Sequence, residues 1–139
     1  MLARYHRHLM VDGERFYSVD EARAVVPQVR AILLQLAVER RRADAAHEAL
    51  HRRLDAEGDG DPRQEAQLEA RTEQLRSGVQ ALLGLLESMG IVLRDVETGL
   101  VDFPTVRDGE PAWLCWRLSD PDLAFWHTTR EGFTSRRPL

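Results

Sequence analysis

The most recognisable catalytic pattern in the chain is a pair of histidines that enclose a glutamate. His47, Glu48 and His51 match H-E-x-x-H, with which zinc proteases hold their metal on one face of a helix. The pattern is short, and the two residues that follow, Arg52 and Arg53, would repel a cation. Catalytic zinc, adventitious metal binding and plain helix surface all stay open. No metal site is assigned, and His47 and His51 are the metal candidates of this pattern.

A second group of chemically useful side chains lies between residues 113 and 132. This stretch contains all three tryptophans, the only cysteine, Cys115, and one histidine, His127. Aromatic side chains carry much of the burial energy of a small domain, so a core or a binding site is expected here. Cys115 and His127 have the chemistry of a nucleophile and its base, or of two metal ligands, if the fold brings them together.

Composition narrows the classes of function. The chain has 139 residues and a net charge of −4, which favours one domain and gives no overall attraction to nucleic acid or anionic lipid. All 19 basic residues are arginine, so lysine chemistry is excluded and guanidinium contacts are favoured. A single cysteine cannot form an internal disulfide, which indicates a cytoplasmic protein. No apolar run reaches the roughly 18 residues of a membrane span.

The elements that position these residues begin after a flexible N-terminal extension, residues 1–15. Within this extension, the residues from Tyr5 to His8 could contact a metal or a phosphate. The simpler interpretation is that they belong to a disordered tail. Phe16-Tyr17 could form a short edge strand, after which Ser18 and Glu21 form a capping box.

The first long helix is expected to run to about residue 57. Pro27 predicts a kink between a short first part and a long second part. Apolar positions in the long part recur at alternating spacings of four and three, as in a coiled-coil seam.

A turn cluster at residues 58–62 leads into a second helix with the same seam spacing. Asp61 caps this helix, Pro62 takes its first position, and Gly90 ends it. So short a link forces the two helices antiparallel, which predicts a helical hairpin at about residues 18–90. Two helices alone leave apolar surface exposed, and this favours pairing with a second copy as a homodimer.

From residue 91 the apolar period changes to two, which predicts an antiparallel β-meander of three to four strands. Asp108-Gly109 indicates a type I′ turn, Pro104 indicates a bulge or a strand end, and residues 129–139 are expected to be irregular. The fold class is therefore α+β, with residues 16–139 as a single domain. The strands are expected at residues 91–94, 100–106, 112–118 and 123–128.

Tight turns fix a register in which Cys115 lies opposite Trp126, and Leu114 opposite His127. Cys115 and His127 then point to opposite faces and cannot meet, whereas a three-residue turn would bring them together. The nearly apolar face, expected to pack on the helices or on a partner, carries Val101, Phe103, Leu114, Trp116, Leu118, Leu123, Phe125 and His127. The mixed face carries Asp102, Pro104, Trp113, Cys115, Arg117, Ala124 and Trp126.

The mixed face has the composition of a binding surface. Trp113 and Trp126 could stack on a planar or anionic ligand while Arg117 contacts its charge. The alternative is a structural ion pair between Asp102 and Arg117, with the tryptophans covering the C-terminal tail.

Several C-terminal motifs are similar to those of a known family, the bacterial domain-of-unknown-function family DUF2203. The motifs are Gly99 to Pro104, Leu114 to Arg117, Phe125 to His127, Gly132-Phe133 and Arg136. Residues 16–27, FYSVDEARAVVP, look like the family's start, so the resemblance spans about residues 16–139 with a divergent helical middle. Ser119-Asp120 and Ser135 stand where the family usually has Gly-Glu and Gly, which leaves that turn without an implied role. The resemblance implies a small cytosolic bacterial protein and no particular reaction.

These observations favour a non-enzymatic binding or interaction protein that self-associates through the helical hairpin, with no cofactor. The partner is a protein or a small molecule; membrane binding is not expected and nucleic acid is disfavoured. The alternative is a small-molecule enzyme, with or without a metal, that uses His127 and nearby acidic residues or the His47/Glu48/His51 pattern. The candidate binding residues are Asp102, Trp113, Arg117, Trp126, His127 and Arg136.

Overall fold

The computed structural model describes residues 15–56, 58 and 60–139. Two long helices that pack on each other, α1 (Val19–Asp55) and α2 (Pro62–Ser88), precede a five-stranded antiparallel sheet. The strands, side by side in chain order, are β1 (Val92–Asp95), β2 (Leu100–Arg107), β3 (Glu110–Trp116), β4 (Phe125–Thr128) and β5 (Arg137–Pro138). The predicted α+β class is confirmed, with five strands in place of three or four. Residues 1–14 of the proposed N-terminal extension, Tyr5 to His8 included, lie outside the described residues.

The helix ends follow local signals in the sequence. The backbone N–H of Glu21 donates to Ser18 Oγ at 3.1 Å, and that of Arg63 donates to Asp61 Oδ1 at 3.0 Å. At the end of α2, Gly90 has a φ of 71° and the N–H of Ile91 donates back to the Leu86 carbonyl at 3.0 Å. This is a Schellman stop, which glycine favours because it has no Cβ.

α1 continues through Pro27, so the expected division into a short and a long helix is wrong, whereas the kink itself stays a prediction. Pro27 is exposed, whereas Ala22 and Val29 on either side of it are completely buried. Burial of these neighbours fixes both parts of the helix, so the lost backbone hydrogen bond at Pro27 does not end it.

The described chain forms two compact units. One joins residues 15–33 to Leu85–Leu139, and the other is Leu34–Gly84. In the second unit the predicted seam is buried at Leu36 and Leu82 but not near the link, where Leu54 is 55% exposed. The expectation of a single domain from residue 16 stays a prediction.

The core of the first unit lies on one face of the sheet. Tyr17 packs edge-on against Phe103 with ring centroids 5.4 Å apart, and its hydroxyl donates to the Met89 carbonyl. Each of these contacts joins the residues before α1 to the sheet or to the end of α2. The fully buried side chains of this sheet face are Val101, Phe103, Leu114 and Trp116.

Residues 16–17 form no strand and instead dock on the open edge of β2, which β1 leaves free beyond Asp102. The N–H of Tyr17 donates to the Pro104 carbonyl at 2.7 Å. Pro104 pairs with Trp113 in an unbroken β2–β3 register, so the predicted bulge or strand end is wrong. A residue in an antiparallel strand points its N–H and C=O to the same side, so proline's missing N–H interrupts no bond to β3.

The type I′ turn between β2 and β3 is confirmed by positive φ angles at Asp108 (50°) and Gly109 (80°). Gly99 also has a positive φ, 64°, but its surroundings differ. A Cβ at Gly99 would lie 2.5 Å from the Leu118 Cγ, whereas a Cβ at Gly109 would have no heavy atom within 4 Å.

These two glycines separate backbone strain from steric overlap. Gly109→Ala is expected to lower the free energy of unfolding by about 1 kcal/mol, because alanine is strained at positive φ. Gly99→Ala is expected to cost about 2 to 4 kcal/mol, because overpacking against Leu118 adds to the same strain. Urea unfolding followed by circular dichroism measures both values. Equal losses for the two variants would contradict the close packing at Gly99.

Candidate ligand-binding cleft

The register between β3 and β4 differs by one residue from the predicted one. Trp113 pairs with His127, and Cys115 pairs with Phe125. The connection between the strands runs over residues 117–124 and is longer than the expected tight turn. Because side chains alternate between faces, Phe125 and His127 move to the face that was expected to be mixed, and Trp126 moves to the other.

Asp102, Cys115 and His127 consequently form one buried cluster, with exposed fractions of 2%, 1% and 3%. His127 Nε2 lies 3.0 Å from Asp102 Oδ1 and 3.1 Å from Oδ2. The carboxylate, thiol and imidazole ligand atoms all lie within 4.8 Å of one another. The prediction that Cys115 and His127 point to opposite faces is wrong.

Both ring nitrogens of His127 are engaged. Nδ1 lies 2.8 Å from the carbonyl oxygen of Thr128, and since a carbonyl only accepts, Nδ1 carries a proton. Nε2 faces the Asp102 carboxylate. Both ring nitrogens therefore have a partner within the protein, and neither is directed at a substrate in this arrangement.

Arg94 completes the pairing of Asp102 from the neighbouring strand. Its Nε donates to Asp102 Oδ2 at 2.9 Å, and its guanidinium lies 5.0 Å from the centre of the Trp113 ring. The Arg94 side chain is 44% exposed. The expected Asp102–Arg117 pair is wrong, because β1 brings Arg94 to Asp102 while Arg117 lies beside Asp120 instead. Sequence reasoning missed Arg94, although alternation along β1 assigns it to the face of Asp102.

Asp120 is held by two arginines beyond the end of β3. Arg136 binds it with both terminal nitrogens, at 2.7 Å and 3.1 Å, and the N–H of Arg117 donates to it at 3.1 Å. Burial by itself would raise the pKa of Asp120, but the Arg136 and Arg117 hydrogen bonds and charges outweigh burial and lower it. Arg136 also stacks 4.0 Å from the centre of the Phe125 ring and 4.4 Å from that of Phe133.

These contacts order part of the C-terminal segment that was expected to be irregular. Phe133–Ser135 forms a short 3-10 helix, and Arg137–Pro138 pairs as β5 with the free edge of β4. The 3-10 turn brings Phe133 to the face that carries the buried cluster, so the segment helps to build the site.

The buried cluster lies at the floor of a cleft of about 360 Å³. At its edge, Glu131 accepts hydrogen bonds from the Thr128 hydroxyl at 2.9 Å and from Arg137 at 3.0 Å. The Thr128 hydrogen bond and the Arg137 charge lower the pKa of Glu131. The cleft is lined by Arg94, Leu100, Asp102, Trp113, Cys115, His127, Thr129, Glu131, Gly132 and Phe133.

Cys115 does not have the properties of a nucleophile. Burial, and next the Asp102 charge, raise the pKa of its thiol to about 11. The thiolate is the reactive form of cysteine, so Cys115 stays an unreactive thiol at neutral pH.

The six predicted binding residues divide into three groups. Asp102, Trp113 and His127 line the cleft. Arg117 and Arg136 lie beside the cleft and are paired with Asp120. Trp126 is on the opposite face, where the guanidinium of Arg107 lies 4.5 Å from its ring centre.

The His47/His51 pattern lies on an exposed face of α1. The two rings stack with centroids 6.3 Å apart, His47 Nδ1 contacts Arg76 at 3.1 Å, and His51 Nε2 contacts Asp55 at 3.1 Å. A guanidinium at the nitrogen of His47 opposes a cation there. Among the described residues, the one group of three or more metal-type ligands is Asp102, Cys115 and His127.

The fold and the site define an α+β protein with a polar cleft on the face of its sheet opposite the core. The chain belongs to the family DUF2203, an uncharacterized conserved protein whose family model matches residues 15–139. The family resemblance is thereby confirmed. No curated protein and no solved structure matches the chain. In the part of the chain that is described, no helix has the length and apolar character needed to cross a membrane.

The lowered pKa of Asp120 makes part of the stability dependent on pH. A carboxylate whose pKa falls on folding stabilises the protein above its unfolded pKa of about 4, and this contribution disappears as pH falls through the lower folded-state pKa. Asp120→Asn is expected to lower the free energy of unfolding by about 2 kcal/mol at pH 7, because charge-assisted hydrogen bonds are lost. At pH 2 the same change is expected to lower it by much less.

The matched control is Asp122→Asn. The Asp122 side chain is 66% exposed, and its Oδ1 lies 3.7 Å from Arg23 Nε, which makes a long surface ion pair. Loss of the Asp122 charge is therefore expected to lower the free energy of unfolding by under about 0.5 kcal/mol at either pH. Urea unfolding at the two pH values measures all four differences. A loss for Asp120→Asn that is the same at both pH values would contradict the ionic role of the carboxylate.

Proposed function

We propose that this protein binds a small anionic molecule in the cleft and that Arg94 recognises it. The observation that carries the proposal is the fixed position of the Arg94 guanidinium. Asp102 holds its Nε, and the ring of Trp113 lies beneath its plane. Within the described residues, no acceptor is bonded to its two terminal nitrogens. A guanidinium held in this way suits bidentate binding of a carboxylate or phosphate.

The charges around the floor of the cleft favour an anion. The one carboxylate at the floor, Asp102, is paired with the Arg94 guanidinium and contacts His127. The carboxylate at the edge, Glu131, is paired with Arg137, so neither carboxylate is left unpaired to repel an anion from the Arg94 guanidinium. Local positive charge in a partly enclosed site attracts anions even though the whole chain is acidic.

The size of the cleft favours a small molecule over a protein. About 360 Å³ is at the low end of the range for small-molecule sites, whereas a stable protein interface buries roughly 800 Å² per partner. Apolar walls from Leu100 and Phe133 would cover the part of a ligand away from its charge.

Binding is favoured over catalysis because the cleft offers no ready base or nucleophile. Both nitrogens of His127 are engaged, and the raised pKa keeps Cys115 a thiol. Glu131 has a lowered pKa, which moves it further from the neutral range in which a general base is most effective. The enzyme alternative would require these contacts to rearrange when a substrate binds.

The test is titration of the full chain with inorganic phosphate and with citrate, in buffer from which metal ions have been removed on a chelating resin, followed by isothermal calorimetry. Arg94→Met is expected to weaken binding roughly 10- to 100-fold, which corresponds to the loss of a charge-assisted hydrogen bond of about 1.5 to 3 kcal/mol. The change preserves most of the side-chain volume over Trp113.

The matched control is Arg107→Met. Arg107 stacks on Trp126 as Arg94 stacks on Trp113, but on the opposite face of the sheet. This variant is expected to bind both anions as the unchanged protein does. The proposal would be refuted if neither phosphate nor citrate bound the unchanged protein. It would also be refuted if Arg94→Met and Arg107→Met weakened binding equally.

We further propose that the protein pairs with a second copy of itself through the helical hairpin. What favours this is exposed apolar surface on α1, where Leu34 and Val38, one turn apart on the same side of the helix, are 53% and 45% exposed. A second copy that covers this surface would bury the apolar side chains that the two helices of one chain leave exposed to water.

Sedimentation equilibrium tests the pairing. The unchanged chain is expected to sediment as a dimer and the double variant Leu34→Glu, Val38→Glu as a monomer, because two buried carboxylates would oppose the interface. The control, Leu54→Glu, changes an equally exposed leucine near the link and is expected to stay dimeric. A monomeric unchanged chain would rule out the pairing.

A further inference from the structure

We propose that Asp102, Cys115 and His127 bind a divalent ion of the zinc class, such as Zn²⁺ or Co²⁺, at the floor of the cleft. The three side chains offer one oxygen, one sulfur and one nitrogen ligand atom, all within 4.8 Å of one another. A mixed set with thiolate and imidazole is typical of zinc and cobalt, whereas magnesium and calcium prefer oxygen ligands alone. The site shares Asp102 with Arg94, but its test does not depend on anion binding.

The separations between the ligand atoms are close to those of a metal site. Bond lengths of about 2.0 to 2.3 Å in a tetrahedron place neighbouring ligand atoms roughly 3.3 to 3.7 Å apart. His127 Nε2 and Asp102 Oδ1 are already 3.0 Å apart. The Cys115 sulfur would have to approach them by at most about 1.5 Å.

Hydrogen bonds around the cluster orient the ligands as metal sites require. The Nδ1–H of His127 donates to the Thr128 carbonyl, which points Nε2 at the cluster. Metal-binding histidines almost always have such a bond on their second nitrogen. Arg94 holds Asp102 by Oδ2 and leaves Oδ1 directed at His127.

The charges balance when the ion is bound. The Asp102 carboxylate and a Cys115 thiolate supply two negative charges to a divalent ion, and neutral His127 supplies none. Of the two nearby guanidinium groups, Arg136 is already neutralised by Asp120. The ion lies between His127 Nε2 and Asp102 Oδ1, which face each other across 3.0 Å. A fourth position remains on the cleft side, as in zinc sites that keep one position for water or a ligand.

The His47/His51 pair provides the natural comparison within the same chain. It has two histidines at helical spacing, but it is exposed and Arg76 contacts His47 Nδ1. It also has no thiol, so a metal held there cannot give a sulfur-to-metal absorption band. The two sites can therefore be told apart by spectroscopy as well as by mutation.

The experiment removes metal from the full chain with a chelator and titrates it with Co²⁺ in anion-poor buffer. One Co²⁺ per chain is expected, with the ultraviolet charge-transfer absorption that a cobalt–thiolate bond produces. Cys115→Ser is expected to lose this absorption, and His127→Ala to weaken Co²⁺ binding at least 10-fold. The double variant His47→Ala, His51→Ala is expected to keep the absorption and the stoichiometry.

Two results would overturn the proposal. One is the absence of thiolate charge transfer in the unchanged chain at saturating Co²⁺, which decides the matter even if Cys115→Ser fails to fold. The other is Co²⁺ binding that His47→Ala, His51→Ala abolishes, since the ion would then be on the helix. Because the anion titrations contain no metal ions and this one contains no phosphate or citrate, the failure of either proposal leaves the other intact.

Discussion

A carboxylate that is almost completely removed from water must be paired, and the pairing of Asp102 organises one face of this sheet. Asp102 lies on β2, its guanidinium partner Arg94 on β1, and its imidazole partner His127 on β4. Together these two contacts connect β1 with β2 and β2 with β4, and Cys115 of β3 lies between the residues that make them. Removing one partner from a buried pair typically costs about 3 to 5 kcal/mol, because the remaining charge is left without compensation.

The opposite face of the same strands supplies the hydrophobic stability on which this polar cluster depends. Phe103 and Trp116 are fully buried there, and Tyr17 packs on Phe103. Burial of apolar area is the main favourable term in folding, whereas a buried polar cluster roughly balances desolvation against pairing. One face of the sheet therefore holds the fold together, and the other is left to position charges around a cleft.

The segment after β4 gives the cleft a wall that the strands alone lack. Arg136 bridges the Asp120 carboxylate and the rings of Phe125 and Phe133, so that one side chain joins the β3–β4 connection to the tail. A guanidinium suits this role because its edge donates hydrogen bonds while its faces stack on aromatic rings.

The sequence by itself determined the features that depend on a few neighbouring residues. The caps at Ser18 and Asp61, the stop at Gly90 and the turn at Asp108-Gly109 each need only local hydrogen bonds or a permissive φ, and each lies where the pattern predicts it. The order of helices and strands followed from the same local signals and from the change of hydrophobic period. The family motifs were likewise recognised from the sequence without a structure.

Only the tertiary structure decided which side chains share the cleft. The β3–β4 register depends on residues 117–124, whose path is set by Asp120 binding Arg136, sixteen positions along the chain, and by burial of Leu123. Because side chains in a strand alternate with a period of two, a one-residue difference in this register moves His127 from the face of Leu114 to that of Cys115. Arg94 joins the site for a similar reason, since a strand pairing and not its sequence neighbours brings it to Asp102.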